Sequence, residues 1–141
     1  MKALLDTCVV VDLLQKREPF FKDAKSVFLN VANHQFEGFV SAKALTDIYY
    51  LMHRYTHSDA ESRKALGTLM QLVGVLSTNG IDCQNALVSA VSDYEDAIMI
   101  ETAIRGQMDC IVTRNLADYA KSPVPVYSPE DFLKHLQESE E

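Results

Sequence analysis

The chain has 141 residues, 48% hydrophobic and 23% charged, which is enough for one domain with one core and too apolar for a disordered chain. Its 20 acidic and 13 basic residues give a net charge of −7. That charge excludes nucleic-acid binding through bulk positive potential, so such a role would need a local basic patch or a bound metal. The three cysteines, Cys8, Cys83 and Cys110, have no CxxC spacing, which argues against a disulfide framework or zinc ribbon and for a reducing, cytoplasmic setting.

In chain order, Lys2 to Asp6 is a short apolar run that stops at a charge and predicts a buried strand. Asp6 interrupts the run too early for a secretion signal, and no small-residue cleavage site follows Val9-Val10-Val11. Thr7 onward carries Val11, Leu13 and Leu14, a short helix closed by Gln15-Lys16-Arg17. Pro19 suits the first turn of a second helix, with Phe20, Ala24, Val27, Phe28 and Val31 at helical spacing. Gly38 to Ser41 predicts a short strand. Ala44 to Tyr55 predicts a helix with Ala44, Ile48, Leu51 and Tyr55 on one stripe. Ser58 and Glu61 form a capping box that opens a helix to about Val73. Val73 to Leu76 reads as a strand or as the end of that helix, and Asp82 as the cap of a short helix to Ala90. Ser92 and Glu95 form a second capping box, for a helix ending near Gly106. Cys110 to Thr113 reads as a strand. Pro123 to Tyr127 reads as an edge strand, because its prolines remove ladder donors. Ser128-Pro129-Glu130-Asp131 starts the last helix. Residues 1–136 form the expected single domain and 137–141 an acidic tail expected to fray. No stretch approaches the roughly 18 apolar residues of a bilayer span, so no membrane partner is expected.

Short apolar strands alternating with amphipathic helices predict an α/β domain whose central, mostly parallel sheet is covered on both faces. Chemistry in such folds sits at the carboxyl ends of the strands. Asp6 ends the first strand. Thr113, with Arg114 and Asn115, ends a later one, and Asp118 follows within a turn. Asp96 lies four residues before Ile100 and seven before Ala103. Asp47 lies three after Ala44 and four before Leu51. Both acids therefore fall on buried stripes. A buried carboxylate needs a basic side chain, backbone N–H groups or a metal ion. Several carboxylates at one sheet edge repel unless a divalent cation neutralises them, and a hard oxygen set suits Mg2+ or Mn2+. His53 and His57, the only histidine pair at metal spacing, read as an exposed helix end. Asp93 reads as a helix cap, Asp12 as a solvated acid and Cys8 as a small buried apolar residue. The chain has no GxSxG elbow, and its 5 glycines form no phosphate loop.

Leu4 to Leu14, with Asp6-Thr7-Cys8 at its turn, resembles the opening of PIN-domain ribonucleases. Ser41 to Leu51 resembles that family's second acidic segment. Asp93 to Ala97, followed by Ala103 and Gly106, resembles its third, Ile111 to Tyr119 its fourth, and Ser128 to Leu133 its closing helix. The resemblance covers nearly the whole chain in order. It implies an α/β/α sandwich, an acidic Mg2+ or Mn2+ site and hydrolysis of RNA phosphodiester bonds. Many small members are toxins of toxin–antitoxin pairs, which implies an antitoxin partner and a homodimer. Carried over by position, Asp6, Asp47, Asp96 and Asp118 are the candidate catalytic acids, with Asp6, Asp96 and Asp118 as metal ligands. Thr113, Asn115 and Asp93 are supporting residues, and Arg114, Lys43, Arg17 and Arg54 candidate contacts to RNA phosphates. The chain departs from the family pattern at Asn115, where Asp is frequent, at Cys8, where Asn or Ser is usual, and at Asp47, where Glu is common.

Two other readings stand beside this one. The first is a PIN-like module that binds RNA or protein without cutting. The second is phosphoryl transfer on an aspartate. Aspartate-nucleophile phosphatases carry a second Asp two residues after the first, where Cys8 stands, and receiver domains need a lysine that Val126 to Pro129 lacks. Tyr49, Tyr50, Met52 and Tyr55 exceed one buried stripe, so their surface would meet a second copy, an antitoxin segment or the following helix.

Overall fold

The computed structural model describes residues 1–139. The chain runs β1 (Lys2–Leu5), α1 (Thr7–Leu14), α2 (Phe21–Ala32), β2 (Glu37–Ser41), α3 (Ala42–Thr56), α4 (Asp59–Leu72) and β3 (Gly74–Leu76). It continues through α5 (Gly80–Ala86), α6 (Tyr94–Arg105), β4 (Cys110–Val112), a 3₁₀ turn at Leu116–Tyr119, β5 (Val126–Tyr127) and α7 (Pro129–Ser139). The five strands form one sheet in the order β3-β2-β1-β4-β5, and every pairing is parallel. Helices flank the sheet to give the expected sandwich. From β1 the sheet grows outward to β3; the chain then returns to the other side of β1 to lay down β4 and β5. Strand order thus reverses between β1 and β4, and the crevice beyond the carboxyl ends of such a pair is where open parallel sheets place their sites.

The central strands are apolar because they are covered on both faces. Ala3, Leu4 and Leu5 of β1 and Ile111 and Val112 of β4 have no exposure, and neither do Val9, Val10 and Val11 of α1. Gly38 lets α2 approach β2, since a Cβ there would lie 2.9 Å from Cγ2 of Val31. Phe132, fully buried, meets Phe36 edge-on at 4.8 Å and anchors α7 to the core.

Several local expectations shift. Pro19 lies just before α2, which begins at Phe21. The buried row of α3 is Ala44, Ile48 and Met52; Leu51 is half-buried and Tyr55 exposed. That row steps by four residues and so winds slowly round the helix, away from the line of Leu51 and Tyr55. Asp82 does not cap α5 but sits in its first turn, where Oδ2 accepts the Asn79 N–H at 2.8 Å, and the helix stops at Ala86. Asp93, not Ser92, caps α6. Residues 137–139 of the expected tail are helical, and the rest of it, 140–141, lies outside the described residues. Among the described residues no helix is long and apolar enough to cross a membrane.

Candidate active site

Leu5 and Val112 are register partners in β1 and β4, so the chain leaves both strands side by side and places Asp6 next to Thr113. Asp6 caps α1: its Oδ1 accepts the Thr7 N–H at 2.8 Å. Its Oδ2 accepts the hydroxyl of wholly buried Thr113 at 2.7 Å. The Asn115 N–H donates to Thr113 Oγ1 at 3.0 Å, which directs the threonine proton toward Asp6. Cys8 Sγ lies 3.8 Å from Asp6 Oδ2 and 3.7 Å from Thr113 Oγ1. Burial pushes the Cys8 thiol up and the Asp6 charge adds to it, which keeps Cys8 a neutral neighbour.

Asp96 stands in the first turn of α6, where its N–H donates to Asp93 Oδ1 at 3.0 Å. Desolvation raises its carboxyl to about 6, and the charges of Asp93, Asp118 and Asp6 add to the rise. The phenol of buried Tyr119 beside Asp96 opposes this; desolvation and the nearby acids push that phenol well above its ordinary value. Among the described residues neither Asp6 nor Asp96 pairs with a lysine or arginine.

Asp6, Asp47, Asp96 and Asn115 line one cleft of about 320 Å³, together with Lys43 and Arg17. Lys43 bridges two acids of this cleft: Nζ lies 2.8 Å from Asp47 Oδ2 and 3.5 Å from Glu95 Oε2. Partial burial works against the Lys43 ammonium, and Asp47 and Glu95 more than offset it. Asp118 is exposed and lines a separate small hollow with Lys121, so it reaches Asp96 only through its field. Asp93 acts as the cap of α6, outside the cleft lining. Arg54 lines an adjoining hollow with Arg17 and Tyr55.

One expectation fails at Arg114. Asp12 is not a solvated acid: it is 1% exposed, and Arg114 grips it through Nε at 2.5 Å and Nη2 at 3.2 Å. The same guanidinium stacks 3.8 Å from the Phe20 ring centre. Arg114 is therefore committed to holding α1 to the loop after β4, because a buried carboxylate needs its counter-charge. Residue-by-residue reading also passed over Glu95, Tyr119, Ser41 and Thr78, which all line the cleft. Glu95 stands one residue before Asp96 in an acidic run, and Lys43 stands four before Asp47 at ion-pair spacing. Nothing in the sequence points Tyr119 at Asp96.

The expected ligand set of Asp6, Asp96 and Asp118 is not a closed cage. Among the described residues no group of three or more His, Cys, Asp or Glu side chains is placed to hold a metal ion. Mg2+ needs fewer protein ligands, since it keeps several waters and takes one or two carboxylates together with phosphate oxygens. Asp6 and Asp96 fit that requirement: two acids on one cleft, without a basic partner, whose charges work against each other.

A parallel sheet whose order turns over between β1 and β4, with acids after β1, on α3 and on α6, defines a PIN-type sandwich. The family model for the PIN domain matches residues 2–117, and the chain belongs to that family. Similar solved structures include a toxin–antitoxin complex from Klebsiella pneumoniae, 22% identical over 90% of this chain and 97% of that one, with a TM-score of 0.67. FitAcB from Neisseria gonorrhoeae is 15% identical over 91% and 98%, with a TM-score of 0.67. VapC20 from Mycobacterium tuberculosis, described as a sarcin–ricin loop cleaving toxin, is 15% identical over 84% and 93%, with a TM-score of 0.66. No curated protein matches the sequence.

Proposed function

We propose that the protein is a Mg2+- or Mn2+-dependent ribonuclease that hydrolyses RNA phosphodiester bonds, and that it is the toxin of a toxin–antitoxin pair. The observation that carries this reading is the pair Asp6 and Asp96: two acids on one cleft at the sheet's reversal, neither neutralised by a basic side chain among the described residues. These two residues would hold the ion. When bound, it supplies charge neutralisation and Lewis-acid polarisation at the phosphate. Thr113 and the Thr7 N–H fix both oxygens of Asp6, so one face of the site is oriented before anything binds. Tyr119, buried beside Asp96, lines the cleft there. Arg17 lines the same cleft outside any ion pair among the described residues and is the basic group that would meet phosphate oxygens. Asp118 adds negative field from outside.

The family, together with toxin–antitoxin complexes among the similar folds, supports an antitoxin partner. We assign the exposed Tyr50 and Tyr55 of α3 to a homodimer contact. A cytoplasmic location suits an RNA substrate and three free thiols.

The test is cleavage of a structured RNA in Mn2+, repeated with EDTA and with Asp6→Asn and Asp96→Asn. The reading expects cleavage by the wild type alone, abolished by chelation and by each substitution. Cleavage that survives chelation and both substitutions overturns it. Asn115 in the cleft and Asp118 outside it favour one second reading, a PIN-like module that binds RNA without cutting. RNA binding by the wild type without cleavage in Mn2+ would select that reading.

A further inference from the structure

We propose that Lys43 is a built-in counter-cation for Asp47 and Glu95, so that the cleft holds one divalent ion, at Asp6 and Asp96, and has no second ion site. The inference rests on the preceding reading that the cleft takes a divalent ion at all. Four acids line the cleft: Asp6, Asp47, Glu95 and Asp96. They divide by partner. Asp47, one helical turn beyond Lys43 on α3, and Glu95, from the first turn of α6, share the Lys43 ammonium at 2.8 Å and 3.5 Å. Among the described residues Asp6 and Asp96 pair with no cation; Thr113 and the Thr7 N–H donate to Asp6, and the Tyr119 phenol lies beside Asp96.

The charge on each side decides where an ion goes. Asp6 and Asp96 present two uncompensated negative charges, which a divalent ion balances. Asp47, Glu95 and Lys43 together present only one. A second ion there would sit against a fixed positive charge a few ångströms away, and like charges at that distance repel. The lysine also spans α3 and α6, tying together two elements that line the cleft. Asp47 then acts by holding Lys43 rather than as a metal ligand. It is a positioning residue, and its loss should move a different observable from the loss of Asp96.

The experiment is a Mn2+ titration of the full chain followed by the EPR signal of free ion, without RNA. The wild type should bind one ion. Asp96→Asn should weaken that ion by more than about tenfold, whereas Asp47→Asn should leave it nearly unchanged. Lys43→Met should admit a second ion, at about millimolar affinity, and Lys43→Arg, which keeps the charge, should hold the count at one. Circular dichroism confirms that each variant is folded. Two ions in the wild type, loss of the tight ion in Asp47→Asn, or a count of one in Lys43→Met each overturn the role of Lys43 and leave the nuclease reading standing. A wild type that binds no ion overturns the metal-dependent reading itself, and this inference with it.

Discussion

Thr113 Oγ1 donates a 2.7 Å hydrogen bond to Asp6 Oδ2 across 107 residues of sequence. The bond joins the ends of the two strands between which the sheet reverses. It gives Asp6 a fixed rotamer without neutralising it. Thr113→Val keeps the shape and removes the donor, leaving a nearly buried carboxylate with one fewer partner. We expect a loss of about 1–3 kcal/mol in chemical denaturation and a weaker Mn2+ affinity. Thr113→Ser should restore both, and equal stability of the Thr113→Val variant and the wild type would show that the bond contributes nothing.

Asp12 and Arg114 lock α1 to the segment after β4, and Asp12 is 1% exposed. Arg114→Ala strands a buried negative charge and should cost about 3–5 kcal/mol. Arg114→Lys should recover only part of that, because an ammonium cannot make the two-nitrogen grip or the flat stack on Phe20. If Arg114 instead served mainly as a phosphate contact, Arg114→Ala would weaken RNA binding with little change in denaturation midpoint.

Asp82 is likewise 1% exposed, held by Arg105 Nε at 3.0 and 3.1 Å and by the Asn79 N–H. It ties α5 to α6. Arg105→Ala should destabilise by about 3 kcal/mol, while the double change Asp82→Ala with Arg105→Met should cost less than the single one. Urea unfolding of the three proteins measures the difference. A double variant worse than the single would mean that packing, not charge, dominates the pair.

The Asp96 carboxyl lies near 6, above its ordinary 3.8, chiefly from desolvation and then from three neighbouring acids. A raised acid favours its protonated form in the fold, so stability is full below the unfolded value and is lost as pH rises through 6. Asp96→Asn removes that loss. After allowance for solvent screening it should gain about 1 kcal/mol near neutral pH, or ~3 °C in Tm. The difference should vanish below pH ~3, where both states are protonated. Saturating Mn2+ should reverse the order, because an ion bound to the folded wild type alone stabilises only that protein. A variant less stable than wild type at neutral pH without metal would contradict the repulsion.

Much of the fold was legible because local rules and tertiary placement agree. A charge closing an apolar run located Asp6 at a strand end, and alternation of short apolar runs with helices gave a parallel sheet. Asp47 and Asp96 stood out because an acid on a buried stripe is costly, yet Asp47 keeps its side chain 44% exposed beside Lys43. Where local signals competed, they misled by a residue or a turn. Ser92 and Asp93 both suit a cap, and the structure uses Asp93. Leu51 and Met52 both suit the core, and Met52 is the one buried. The contacts between distant residues were not legible. Asp12 and Arg114 are 102 positions apart, and neither carries a pattern that names the other. Their pairing turned an expected solvated acid into an internal strut. Lys43 and Asp47 had readable spacing, but the third member, Glu95, arrives from α6.

The placement of β4 beside β1 also sets an order of assembly on the ribosome. A growing chain that ends before Thr113 already contains Asp6, Asp47 and Asp96, yet it lacks the hydroxyl that orders the first of them. The cleft is then completed only after most of the polypeptide has been made, although its first acid is among the first residues synthesised.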